Sequence, residues 1–416
     1  MRVLIGVTGG VAAYKVCEVT STLAKAGVEV RVIMTAQAER FVSALTFAAL
    51  SRHAVYTDQD FWSAQQGRPL HIELGEWAEV FVIAPLTANT LGKLACGLAD
   101  NLLTNTVLAS VCPILLAPAM NTDMWQQTVV QRNWQQLCVV PSHHTDNRLE
   151  QAIETSRYYA VGPETGRLAC DRIGSGRMAA PQEIVSAVHS LLHTKGKKDL
   201  MGKHLLISTG STQEYIDPVR FIGNPATGRM GIALALAAKH RGALVTLVHG
   251  PLTAELAQTI PSTVQCYPTI TAADMEQTLL AHLTRADWVI MAAAVADVRP
   301  VTTASQKLPK SELPTALELT TVPDIVAQLA QKKSPHQRII GFAAQTGDIV
   351  APAAAKLQRK QLDAIVANPV DKAGSGFGSK TNEAMVLLAS GQQISIANSS
   401  KLFMSHQLYD ILLTIH

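Results

Sequence analysis

The residue types able to do chemistry fall into two sets, one in each half of the chain. In the first half, Thr8-Gly9-Gly10-Val11-Ala12-Ala13-Tyr14-Lys15 follows an apolar run and opens a helical pattern, which points bare N–H groups and a helix dipole at an anion. The three spaced glycines of a dinucleotide fingerprint are absent, so the loop suits a mononucleotide such as FMN; taken alone it also reads as an ordinary strand-to-helix turn. Farther on stand His71 in His71-Ile72-Glu73-Leu74, the strand ends Ala84-Pro85-Leu86-Thr87 and Ala117-Pro118-Ala119-Met120-Asn121, and the loop Gly162 to Met178. That loop's four glycines allow it to fold over a site, and it carries Cys170. Each residue alone has a plain alternative: a packed histidine, a buried thiol, an asparagine that caps a helix.

In the second half, Ser208-Thr209-Gly210-Ser211-Thr212-Gln213-Glu214 again follows an apolar run. Pro225-Ala226-Thr227-Gly228-Arg229-Met230-Gly231 then leads into the helix Ile232 to His240, another cradle for a phosphate. Lys356 and Lys360 are four apart on a helical segment, which places two ammonium groups on one face toward a triphosphate or toward solvent.

These groups need elements to hold them. Short β-branched runs at Arg2 to Val7, Val28 to Met34, Val80 to Ala84 and Ile114 to Ala117 alternate with helical periods, predicting a parallel sheet with ligands beyond its carboxyl ends. The pattern breaks at Thr194 to Asp199 and restarts with strands near Lys203 to Thr209, Leu244 to Val248, Trp288 to Ala292, Ile339 to Phe342 and Ala364 to Ala367. A hairpin spans Ala384 to Ala397. The expectation is a two-domain α/β protein: 1–193, a linker 194–202, and 203–416. A chain of 416 residues, 48% hydrophobic and 16% charged, has enough apolar material for two cores.

The net charge of +3 gives no electrostatic case for nucleic acid, and no apolar run is long enough to span a membrane. Six scattered cysteines show no zinc or disulfide spacing, and the short apolar run at the amino terminus is no signal peptide, so a cytoplasmic setting is expected. His143 and His144 adjoin without a third metal ligand.

With these motifs in view, residues 1–190 resemble the phosphopantothenoylcysteine decarboxylase family, flavodoxin-like or Rossmann-like flavoproteins that bind FMN between subunits. The resemblance implies that Gly9, Gly10, Thr35, Ala84, Pro85, Thr87 and Met120 contact FMN. It further implies that His71 is the active-site histidine, that Asn121 binds the substrate carboxylate and that Cys170 donates a proton. Asp171-Arg172 stands where many relatives have glycine after that cysteine.

Residues 203–415 resemble the phosphopantothenate–cysteine ligase family, a Rossmann-like α/β fold. This implies a CTP site at Asp297, Lys307, Pro323, Asp324, Ile325, Phe342, Lys356 and Lys360, an acyl-cytidylate contact at Asn224, and Mg2+ with ligands unspecified. Here Pro225-Ala226-Thr227 replaces the usual x-Ser-Ser. Together the resemblances imply a homo-oligomeric enzyme of coenzyme A biosynthesis, with trimeric contacts in the flavin domain and dimeric contacts in the ligase domain. Its substrates would be 4′-phosphopantothenate, cysteine and CTP. A nicotinamide reductase would need a spaced glycine fingerprint with an acidic ribose ligand, and a non-catalytic regulatory flavoprotein would lack Cys170.

Overall fold

Successive side chains of a strand point to opposite faces, and Arg2–Val7 buries both: Val3, Ile5 and Val7 join one core with Val80 and Val82, while Leu4 joins another with Phe81 and Ile83. Burial on both faces is what a parallel sheet wrapped by helices requires. The structure, a computed structural model, describes residues 1–63, 67–138, 157–167, 171–372, 376 and 378–415. Cys170, His143 and His144 lie outside the described residues. The chain divides into two units, Met1–Lys197 and Lys198–His416.

The first unit has a six-stranded parallel sheet in the spatial order Val55–Tyr56, Glu29–Met34, Arg2–Val7, Val80–Leu86, Ile114–Pro118, Tyr158–Ala160. The order reverses between Arg2–Val7 and Val80–Leu86, which leaves a crevice beyond their carboxyl ends. Helix Ala13–Lys25 covers one face through Ala13, Val16, Val19, Thr20 and Leu23, a helical stripe. At its start, beside that crevice, Ala12 offers no side-chain cap, and the Ala13 and Lys15 N–H groups donate to the Gly10 and Ala12 carbonyls, both at 3.0 Å.

The second unit repeats the logic. Gln265–Pro268, Leu244–His249, His204–Thr209, Trp288–Met291, Arg338–Gln345 and Ala364–Pro369 run parallel; Thr381–Leu388 and Gln393–Ser400 complete the sheet antiparallel. Its reversal lies between His204–Thr209 and Trp288–Met291. The helix beside it, Arg229–His240, starts at Gly228 (φ 86°), again without a side-chain cap. Gly231 lies so close to the sheet that a Cβ would sit 2.3 Å from Thr209.

Within 194–202, the helix Pro181–Thr194 ends three residues before the first unit does, and Leu200 is already fully buried in the second core. Asp199 pairs with Arg241, which is 2% exposed and also meets Asp410 at 2.8 Å and the His406 carbonyl at 2.9 Å. Removing the guanidinium would strand these acceptors. Arg241→Ala is expected to destabilise the second unit by about 3 kcal/mol, measured as faster hydrogen exchange in strands His204–Thr209 and Leu244–His249.

Candidate functional site

Beyond the sheet reversal of the first unit lies a cleft of about 830 Å³. Of the residues expected to hold FMN, Gly9, Gly10, Thr35, Thr87 and Met120 line it, together with Asn121. A Cβ on Gly9 would fall 2.3 Å from Cβ of Gln37, so glycine alone allows this approach. The Thr8 hydroxyl donates to the Pro85 carbonyl at 2.6 Å and accepts from the Thr87 N–H at 3.2 Å, tying two strand ends together. Ala84 and Pro85 are buried and shape the cleft from behind, without lining it. Asn121 accepts from the Asp123 N–H at 2.8 Å, so it is both a helix cap and a cleft residue.

The glycine-rich loop forms a hairpin, Glu164–Arg167 against Ile173–Arg177. Gly176 (φ 122°) donates no side chain to the contact: a Cβ would stand 2.4 Å from the Met120 carbonyl, and its own carbonyl accepts from the Met120 N–H at 2.9 Å. This seats Arg167, Arg177 and Met178 over the cleft. Cys170 belongs to the segment between the two strands.

His71 is placed differently. It sits on helix Leu70–Trp77, packs edge-on to Phe61 at 5.5 Å, and does not line the cleft; its Nδ1 is buried with no hydrogen-bond partner among the described residues. Within one chain the structure therefore brings Asn121 to the glycine loop and does not bring His71. Sequence reasoning did not single out Lys15, Gln37, Asn101, Arg167 or Arg177, all of which line the cleft. Lys15, Arg167 and Arg177 fall in quoted motifs and were open to notice. Gln37 and Asn101 arrive only through the tertiary fold.

In the second unit Asn224 donates its N–H to Ser211 Oγ at 3.0 Å and its side-chain amide to the Val295 carbonyl at 3.2 Å, which joins it to the loop bearing Asp297. Asp324 caps helix Ile325–Lys332 and meets Lys360 at 2.8 Å. Burial opposes ionisation of Asp324, but the bonds from Lys360 and the Ala327 N–H outweigh it and hold the carboxyl below its ordinary value. Lys356 is pushed down, first by burial and then by the Lys360 charge, against the pull of Asp324 and Asp297. Asp297, Asp324, Lys356 and Lys360 thus share one electrostatic neighbourhood. Phe342 is half-buried, Pro323 and Lys307 are exposed, and Ile325 is a core residue. Among the described residues no group of three His, Cys, Asp or Glu side chains is placed to hold a metal, and no helix is long and apolar enough to cross a membrane.

Residues 1–193 match the family described as Flavoprotein, and residues 200–415 match the DNA/pantothenate metabolism flavoprotein C-terminal domain. The chain is 41% identical over 407 residues to a coenzyme A biosynthesis bifunctional protein CoaBC of Bacillus subtilis (strain 168), covering 98% of this chain and 95% of that protein. A protein of the same name from Mycobacterium tuberculosis (strain ATCC 25618 / H37Rv) is 39% identical over 425 residues, covering 99% and 96%. A cysteine/cysteine sulfinic acid decarboxylase from an unknown prokaryotic organism is 39% identical over 351 residues, covering 83% and 91%.

The base of the hairpin carries a carboxyl pair. Glu164 accepts from the Ala180 N–H at 3.1 Å and lies 3.8 Å from Arg177, while Glu183, on the helix that follows, is raised from 4.5 to about 7 by burial, by a hydrogen bond with Glu164 and by that residue's charge. An acid whose folded value is raised favours folding while protonated, and that contribution is lost as pH rises from 4.5 through about 7. Thermal denaturation of the intact protein is expected to show declining first-unit stability between those limits, and Glu183→Gln is expected to flatten the decline. An unchanged slope in the variant would remove Glu183 as its source.

Proposed function

The chain belongs to the bifunctional coenzyme A biosynthesis family, and from that premise we propose how its two sites divide the work. It is an enzyme with a decarboxylase half and a ligase half, and its first half is a flavoprotein domain. The observation that carries the assignment of sites is the cleft at the first sheet's reversal. There an uncapped helix start and the Gly9-Gly10 turn face the same space as Thr87 and Asn121.

FMN fits that cleft by the chemistry of its lining. Backbone donors at Gly9 and Gly10 and the nearby Lys15 suit the phosphate, while Thr35, Thr87 and Met120 supply hydroxyls and apolar surface for the rest. FMN held there would supply two-electron chemistry, taking a hydride so that the substrate's terminal thiol becomes a thioaldehyde able to accept the electrons left by carbon dioxide, and giving the hydride back at the end. The chain's own groups place and protonate. The Asn121 amide holds the carboxylate, Cys170 protonates the enethiol carbon chain at the end, and the imidazole of His71 takes the thiol proton. His71 meets the cleft of a neighbouring copy in this reading. Support comes from Val11 and Tyr14, which line the cleft yet are more than half exposed, leaving a wall for a second subunit to complete.

In the second half, 4′-phosphopantothenate attacks the α-phosphate of CTP through its carboxylate, giving an acyl-cytidylate and pyrophosphate; the cysteine amine then displaces CMP. Lys307, Lys356 and Lys360 neutralise the triphosphate, Asn224 holds the acyl-cytidylate, and Asp297, Phe342 and the Pro323-Asp324-Ile325 turn receive the nucleoside. Ile325 acts by packing, since its side chain is buried in the core. Mg2+ is bound commonly by one or two carboxylates together with substrate phosphates, and Asp297 and Asp324 beside Lys356 suit that arrangement.

Purified protein supplied with CTP, cysteine and 4′-phosphopantothenate is expected to yield 4′-phosphopantetheine by mass, with no ligated product when CTP is omitted. Release of cysteamine from free cysteine with no ligated product would contradict the reading.

A further inference from the structure

Lys307 and Asn224, to which the reading above gives the ligase chemistry, stand on separate pieces of chain. Asn224 ends a small hairpin, Gln213–Tyr215 against Phe221–Gly223. Lys307 lies in an exposed segment between the short strands Val298–Pro300 and Leu319–Thr321, on which it has no helix or sheet of its own. An activated carboxylate needs both groups at one place, so something must fix the segment to the hairpin.

Asp217 sits at the tip of that hairpin and is fully buried. One carboxylate oxygen, Oδ1, accepts from the N–H groups of Val219 and Arg220, both at 2.8 Å, which shapes the turn. The other, Oδ2, faces the segment: it accepts from the Leu308 N–H at 3.3 Å and from the Arg220 guanidinium at 2.5 Å, and that guanidinium donates in turn to the Leu308 carbonyl at 3.3 Å. Both backbone groups of the residue next to Lys307 are therefore held. Two further bonds run the same way, from the Ala304 N–H to the Ile216 carbonyl at 2.9 Å and from the Thr303 hydroxyl to the Tyr215 carbonyl at 3.0 Å.

We propose that Asp217 is a positioning residue of the ligase half: its carboxylate clips the Lys307 segment to the hairpin that ends at Asn224. Burial alone would favour the neutral acid, but the donors from Val219, Arg220 and Leu308 and the guanidinium outweigh it, so the carboxyl is held below its ordinary value and stays ionised. A carboxylate is the group that serves here, because both of its oxygens must accept at once.

Asp217→Asn is a near-isosteric test. With its oxygen kept toward the turn, the amide puts a donor where two donors already point, so the turn survives and the clip opens. In the full-length protein, hydrogen exchange is expected to accelerate over residues 301–309 while the strand His204–Thr209 keeps its protection. The rate constant for CTP-dependent pyrophosphate release is expected to fall about 10-fold to 100-fold, and KM for CTP to rise by a smaller factor, since Lys307 is one of three lysines on the triphosphate and Lys356 and Lys360 are untouched. Unchanged exchange over 301–309, or an unchanged rate constant for pyrophosphate release, overturns the proposal. Should Asp217→Asn leave the second unit unfolded, the exposed Thr303→Val removes one bond of the same tether: faster exchange over 301–309 supports the clip, and unchanged exchange overturns it. Pyrophosphate release absent from the unaltered chain would instead defeat the ligase reading, an outcome the exchange measurement does not mimic.

Discussion

Two helices in this chain begin without a side-chain cap at the point where each sheet reverses its strand order, Ala13–Lys25 after Ala12 and Arg229–His240 after Gly228. N–H groups at a helix start need acceptors, and a side chain ordinarily provides one. At several other helices a side chain does accept, at Thr87, Asn121, Thr271, Asp324 and Ser400, while Pro69, Ala180 and Ile349 offer none and stand away from the two reversals. At Ala12 and Gly228 no side chain accepts, and these two starts are where the proposed reading seats a ligand's phosphate. Much of the local packing serves that opening. Gly9 tolerates no Cβ against Gln37, Gly231 tolerates none against Thr209, and Thr8 ties the first loop to the end of a neighbouring strand.

From this shared plan the two sites diverge through their surroundings. The first unit roofs its crevice with a hairpin whose glycines press on the Met120–Asn121 turn, leaving a cleft of about 830 Å³ that stays open beside Val11 and Tyr14. The second unit gathers ionised groups, with Asp324 and Lys360 in contact and Lys356 in the field of both Asp324 and Asp297. A planar cofactor kept through many turnovers suits the former, and a highly charged co-substrate that must leave as pyrophosphate suits the latter.

Much of this was legible in the residues. β-branched runs located the central strands of both sheets to within about three residues, because a parallel sheet buried on both faces admits little else, while the short outer strands Val55–Tyr56, Tyr158–Ala160 and Gln265–Pro268 were not read. The glycine loops were legible too, since strand, glycine and helix must follow one another locally. What depended on distant partners was not. Gln37 and Asn101 carry no motif and enter the cleft only by folding. His71 looked like a member of the same constellation as Asn121, yet its helix turns it toward Phe61, away from the cleft of its own chain. Lys356 and Lys360, read as a pair on one helix face, turn out to differ: Lys356 is within the helix Val350–Arg359 and Lys360 is its cap, paired with Asp324.

The central claim is that the Gly9 turn opens a phosphate seat for a flavin, and the visible absorption spectrum of the purified protein tests it. Wild-type protein should carry a flavin band, and Gly9→Ala, whose new methyl group would displace the turn from Gln37, should purify folded with the band lost. A Gly9→Ala protein retaining a full complement of flavin would contradict the claim.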